Sequence, residues 1–180
     1  YSELLKLRQT YYKLFFIILA VFIIWISGIM DDLNKSRETA IYKLIAQVLS
    51  TFLVVFGGGI HINFFPVPFL NECLSILWII GITNAFNLLD NMDGLSAGIA
   101  TIISLVLLMI AAIQNQFLVA VLISTFSGSM IGFLIHNFSP KKIFLGDSGA
   151  LAMGFLMACI TIVESFVTES NNSFFPILIP

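Results

Sequence analysis

The sequence predicts an all-α bundle, a polytopic membrane protein of about six transmembrane helices. Three observations predict it. Of the residues, 59% are hydrophobic and only 10% are charged, where a soluble domain carries about a quarter charged. The mean hydropathy is +1.04, so the chain cannot cover a water-facing surface. The apolar runs are continuous, not alternating, which argues against a β-barrel. Helices satisfy their own backbone hydrogen bonds in lipid and are the remaining choice.

The spans follow in order. Leu14–Met30 ends at Asp31-Asp32 and a polar segment with Lys35, Arg37 and Glu38. Ile41–Phe56 ends at Gly57-Gly58-Gly59. The connection after it, Ile60–Asn71, alternates as Ile-His-Ile-Asn-Phe-Phe and is compatible with a short β-hairpin at the membrane surface. The third span, Cys73–Ala85, is short unless its helix starts near Phe69. Leu95–Ile113, Phe117–Ile135 and Ala150–Val167 complete the set. Most are near the length that a hydrocarbon core of about 30 Å requires.

Cys73 and Cys159 sit in apolar context and read as small hydrophobes, not as a disulfide or a metal pair. No cleavable signal peptide is visible. Residues 1–180 read as one transmembrane domain, truncated at both ends: the chain opens without Met and closes inside an apolar run, Phe174–Pro180. A net charge of −2 carries no functional information, and no nucleic-acid partner is expected.

Polar residues concentrate in the breaks. Asn84–Gly98 holds Asp90, Asp93, Asn84, Asn87 and Asn91 between two apolar runs. Ionisable groups at the edge of a span are costly unless something uses them. An N-cap role for Asp93 would explain one aspartate and no asparagine. Asp31 and Asp32 fall at a helix C-terminus, where an acid has the wrong sign for the helix dipole by about 0.3–1 kcal/mol. Two adjacent carboxylates with a cation nearby suit cation binding or base catalysis. Asp147 opens the last span among small residues, so it is a good N-cap candidate. A helix N-terminus also attracts anions, and carboxylate plus phosphate oxygens is a donor set that Mg²⁺ prefers.

Counting crossings puts Asp31/Asp32, Asp90/Asp93 and Asp147 on one face, with Lys35, Arg37, Lys43, Lys141 and Lys142. The loops opposite have no Lys or Arg, so the aspartate face is expected to be cytoplasmic. Lys6, Arg8 and Lys13 disagree. The convergence suggests a Mg²⁺–diphosphate site. A calcium loop fails, because Asp90–Gly94 lacks the ligand alternation and closing Glu. Gly128 and Gly132 read as a close-packing seam. His136 reads as an interfacial, hydrogen-bonded residue, and Glu164 as one that reaches the headgroups.

From Gly28 to Gly154 these constellations resemble the polyprenyl-phosphate N-acetylhexosamine-1-phosphate transferases of bacterial membranes. The match comprises Asp31-Asp32 with Lys43 and Gln47, Asn84-Ala-Phe-Asn87-Leu-Leu-Asp90-Asn-Met-Asp93-Gly94-Leu95, and Asn137-x-x-Pro140-x-x-x-Phe144-Leu-Gly146-Asp147-Ser-Gly149. The second and third motifs are long and specific; the Asp-Asp pair alone is weak.

The resemblance implies transfer of a sugar-1-phosphate from a UDP-N-acetylhexosamine to a polyprenyl (undecaprenyl) phosphate in the bacterial plasma membrane, with release of UMP. It implies Mg²⁺, or Mn²⁺, as cofactor. Asp147 is then the metal ligand, and Asp31 and Asp32 stand near the lipid phosphate, one as a candidate base. Asn87 and Asp93 match positions near the nucleotide, and Phe144 a uracil-stacking ring. Lys43, Asn84, Asp90 and Asn137 match polar positions lining the cleft. A homodimer is a further expectation. The Phe144–Gly149 variant leans towards N-acetylglucosamine over the muramyl-pentapeptide donor.

Family members usually carry helices before this region and a His-rich motif after it, so the 180-residue stretch alone is expected to be inactive. An ion transporter, the competing class, would place ionisable residues mid-span; here they sit at one edge. An inactive fragment is the third reading.

Overall fold

The computed structural model describes residues 2–33, 37–138 and 143–169. Six helices follow one another: α1 (Ser2–Leu33), α2 (Arg37–Phe52), α3 (Pro68–Leu89), α4 (Leu95–Ile113), α5 (Phe117–Asn137) and α6 (Gly146–Glu169). A π-helical turn, Leu53–Gly57, extends α2. Among the described residues there is no strand.

Among the described residues, five helices are long and apolar enough to cross a membrane. The sixth expected span is shorter: α2 and its π turn offer Ile41–Gly57. At about 1.5 Å per residue this falls short of a core of about 30 Å. α1 begins well before its expected start at Leu14, because nothing in Ser2–Lys13 breaks a helix.

α3 also starts early, at Pro68, whose fixed φ and missing N–H suit a first helical position. That early start removes the expected hairpin. Instead of pairing with each other, the connector's backbone groups bond to side chains of α3. The N–H groups of Phe64 and Phe65 donate to Asn71 Oδ1 at 3.1 and 2.8 Å, and Ile62 N–H donates to Ser75 Oγ at 2.8 Å.

α6 is the centre of the bundle. It packs against α1 on one side and α3 on the other, and also touches α4; α5 lies outside, chiefly against α4. Small residues let the backbones approach. A Cβ on Gly28 would lie 2.3 Å from Ser148 Cα, and one on Gly154 would lie 2.9 Å from Phe86 Cβ and 3.0 Å from Thr83 Cα. Two apolar clusters flank α6. One gathers Ile17, Ile24, Val54, Ile79 and Phe155; the other gathers Phe86, Leu107, Ile123 and Met157.

Two expectations fail here. Gly128 and Gly132 face open space, with nothing within 4 Å of either Cβ, so they form no seam with the described residues. Glu164 does not reach outwards: it is completely buried, because the face of α6 that carries it turns into the bundle. Both cysteines are free, as expected.

Candidate active site

At one end of the bundle four helix termini meet, and each delivers a polar side chain. The last turn of α1 carries Asp31 and Asp32. The second turn of α2 carries Lys43, the final turns of α3 carry Asn84 and Asn87, and the first turn of α6 carries Asp147 and Ser148.

Lys43 is the hub. Its Nζ donates to Asp31 Oδ2 and to Asp147 Oδ2, each at 2.8 Å. These are charge-assisted bonds, and all three side chains are partly shielded from solvent. The other oxygen of Asp147 accepts from Asn87 Nδ2 at 3.1 Å. One turn deeper, Asn84 and Gln47 pair through their amides: Asn84 Nδ2 donates to Gln47 Oε1 at 2.8 Å. Gln47 is 1% exposed, so this pair satisfies an amide that would otherwise be costly inside a membrane protein.

Asp31 and Asp32 turn to different partners. Neighbours on a helix point about 100° apart, and each has its own partner. Asp32 turns to α6, where Asp147 N–H donates to its Oδ1 at 2.9 Å and Ser148 N–H to its Oδ2 at 3.1 Å. The cap that the sequence led us to expect from Asp147 is supplied by Asp32. Asp147 itself lies inside the first turn, because α6 begins at Gly146 and not at Ala150. The N-cap position of α4 is taken by Gly94, at φ +73°, and not by Asp93.

Asn137 ties two breaks together. Its Oδ1 accepts from Gly94 N–H at 2.9 Å, and its Nδ2 donates to Ile143 O at 2.9 Å. Asp90 stands at the C-cap of α3, half-buried and three residues beyond Asn87. Asp93 is exposed in the turn before α4, and Phe144 is exposed two residues before α6. His136 is exposed on α5, its Nδ1 3.2 Å from Gly132 O. Lys35, Pro140, Lys141 and Lys142 lie outside the described residues.

Sequence reasoning passed over the roles of Gln47 and Ser148. Gln47 had a usable signal: it stands four residues after Lys43, on the same helix face. Ser148 had none, since only its backbone takes part.

The helix end and its N–H groups offset Asp32, and Asp31 and Asp147 share the ammonium of Lys43. Among the described residues no three His, Cys, Asp or Glu are grouped to cage a metal unaided. The donors suit a cation that takes one or two carboxylates and completes its shell with water and phosphate oxygens, the habit of Mg²⁺.

Comparison with known proteins gives a consistent result. The family model described as "Glycosyl transferase family 4" matches residues 14–165. A probable undecaprenyl-phosphate N-acetylglucosaminyl 1-phosphate transferase of Bacillus subtilis (strain 168) is 35% identical over 173 residues, covering 91% of this chain and 47% of the relative. The phospho-N-acetylmuramoyl-pentapeptide-transferase of Streptococcus sanguinis (strain SK36) is 37% identical over 139 residues, 74% of this chain and 42% of the relative. The enzyme of the same name from Streptococcus equi subsp. equi (strain 4047) is 38% identical over 162 residues, 81% of this chain and 48% of the relative. The chain thus spans about half the length, or slightly less, of the curated relatives it matches.

Proposed function

This chain belongs to glycosyl transferase family 4, and from that premise we propose that it carries the catalytic face of a polyprenyl-phosphate hexosamine-1-phosphate transferase. The donor is a UDP-N-acetylhexosamine and the acceptor a polyprenyl phosphate. The site faces the cytoplasm in a bacterial plasma membrane, and the product opens a cell-envelope polysaccharide pathway. An acceptor phosphate oxygen attacks the β-phosphorus of the donor. A new P–O–P link forms, the bond from that phosphorus to the bridging oxygen breaks, and UMP leaves with the electron pair.

One observation carries the reading: Asp31, Lys43, Asn87 and Asp147, from four helices, form one bonded cluster at one end of an apolar bundle. Both reactants are anions and one is a lipid, so the chemistry belongs at a bilayer surface where carboxylates can hold a cation between them. Phosphoryl transfer depends on neutralisation and alignment more than on covalent help from the protein. Asp147 would hold Mg²⁺, with Asp31 across from it, and the metal supplies charge neutralisation for the diphosphate. Asn87 holds the Asp147 carboxylate in direction, and Lys43 holds Asp31 and Asp147 side by side. Phe144 offers an exposed ring for the uracil, and Asp93 a polar neighbour for the nucleotide. The leaning towards an N-acetylglucosamine donor fits the Bacillus subtilis relative's name.

The test uses the full-length protein with undecaprenyl phosphate, Mg²⁺ and a panel of radiolabelled UDP-sugars. Label should enter the lipid phase as UMP is released, and chelation should stop it. Asp147→Asn should lower turnover by about a hundredfold or more while the protein stays folded. Near-normal turnover in that variant would remove the metal assignment.

A further inference from the structure

The two aspartates at the end of α1 are adjacent in sequence but are engaged in different work. α6 begins Gly146-Asp147-Ser148 after Ile143-Phe144-Leu145. None of the residues before Asp147 offers a side-chain acceptor, so the first N–H groups of α6 have no local cap. Asp32 supplies one from another helix, with an oxygen for each of two successive N–H groups at 2.9 and 3.1 Å. The surroundings are shaped for that contact. Gly146 adopts φ +69°, and a Cβ there would lie 2.9 Å from Asp32 Oδ2. Four residues before Asp32, Gly28 lets the α1 backbone lie against Ser148, with a hypothetical Cβ only 2.3 Å from Ser148 Cα.

We propose that Asp32 is a positioning residue: it caps α6 across the helix interface and so fixes the direction in which Asp147 presents its carboxylate to Lys43 and Asn87. Asp31 is then the member of the pair that faces the reactants. The geometry is specific. The residue whose backbone N–H is held by Asp32 is the same residue whose side chain bridges Lys43 Nζ and Asn87 Nδ2. A turn of the first peptide of α6 would swing that carboxylate away from both partners. The inference rests on the reading of Asp147 given above.

Two readouts in the full-length protein test it. The first is amide hydrogen exchange at the start of α6, measured without metal. Asp32→Ala should speed exchange at Asp147 and Ser148 by about tenfold, while Asp32→Asn, which keeps one of the two acceptor oxygens, should lose only part of that protection. The second is turnover as a function of Mg²⁺. Asp32→Asn should keep turnover within about tenfold of wild type, and Asp32→Ala should lose more and need more Mg²⁺. Unchanged exchange in Asp32→Ala would overturn the cap. Equally low turnover in Asp32→Asn and Asp147→Asn, with exchange intact, would make Asp32 a direct participant and overturn the positioning role, while the reading of the site would stand. Near-normal turnover in Asp147→Asn would instead remove that reading, and the positioning role with it, whatever the exchange at α6 shows.

Discussion

Lys43→Met removes the ammonium from the hub and keeps most of the stem that packs beside it. Asp31 Oδ2 and Asp147 Oδ2 each lie 2.8 Å from Nζ, so they are at most twice that distance apart. Two like charges at about 5.6 Å repel by about 3 kcal/mol at an effective dielectric of about 20. The side chains are 14% and 37% exposed, and water reaching them screens part of this. We expect a net loss of about 2 kcal/mol in chelator, read as a lower thermal midpoint, whereas Lys43→Arg keeps the charge and most of the stability. A divalent cation should then restore more to the variant than to the parent. It takes the place of the missing charge in the variant, but in the parent it competes with Lys43 for the same carboxylate oxygen. A Lys43→Met protein as stable as its parent in chelator would refute the electrostatic reasoning. Equal stabilisation of both by Mg²⁺ would refute the shared location of metal and ammonium.

Further outcomes follow from the packing. Gly28→Ala drives a methyl group into the Ser148 backbone, so α1 and α6 must separate; denaturation should show a loss of about 1–3 kcal/mol. Truncating Asn84 strands the buried amide of Gln47, so Asn84→Leu should cost about 1–3 kcal/mol. The double variant Gln47→Leu/Asn84→Leu should recover much of that, and a double-mutant cycle would read the coupling.

The helices were legible because long apolar runs leave the backbone no other form in lipid. Their ends were less so. α3 was cut short at Cys73 because Asn71 reads as a loop residue, when in fact it is buried and holds the connector. α6 was started late because its cap sits 115 positions away in the chain, and local sequence holds no trace of it. Glu164 and the Gly128/Gly132 pair show the same gap from the other side: residue type alone does not say which face of a helix turns inwards. The convergence of Asp31, Lys43 and Asp147 was readable from the parity of crossings, and Asn87 joined them through the family resemblance. The division of labour between Asp31 and Asp32 was not, because it depends on which way each side chain leaves the helix.

The innermost helix of the bundle is also the last of the six to leave the ribosome. Synthesis runs from the N-terminus, so α1 and α3 are in place before the segment that fills the slot between them. Until that segment threads in, the Asp31–Lys43 pair lacks Asp147, and insertion of α6 between its neighbours brings the third charged group to Lys43.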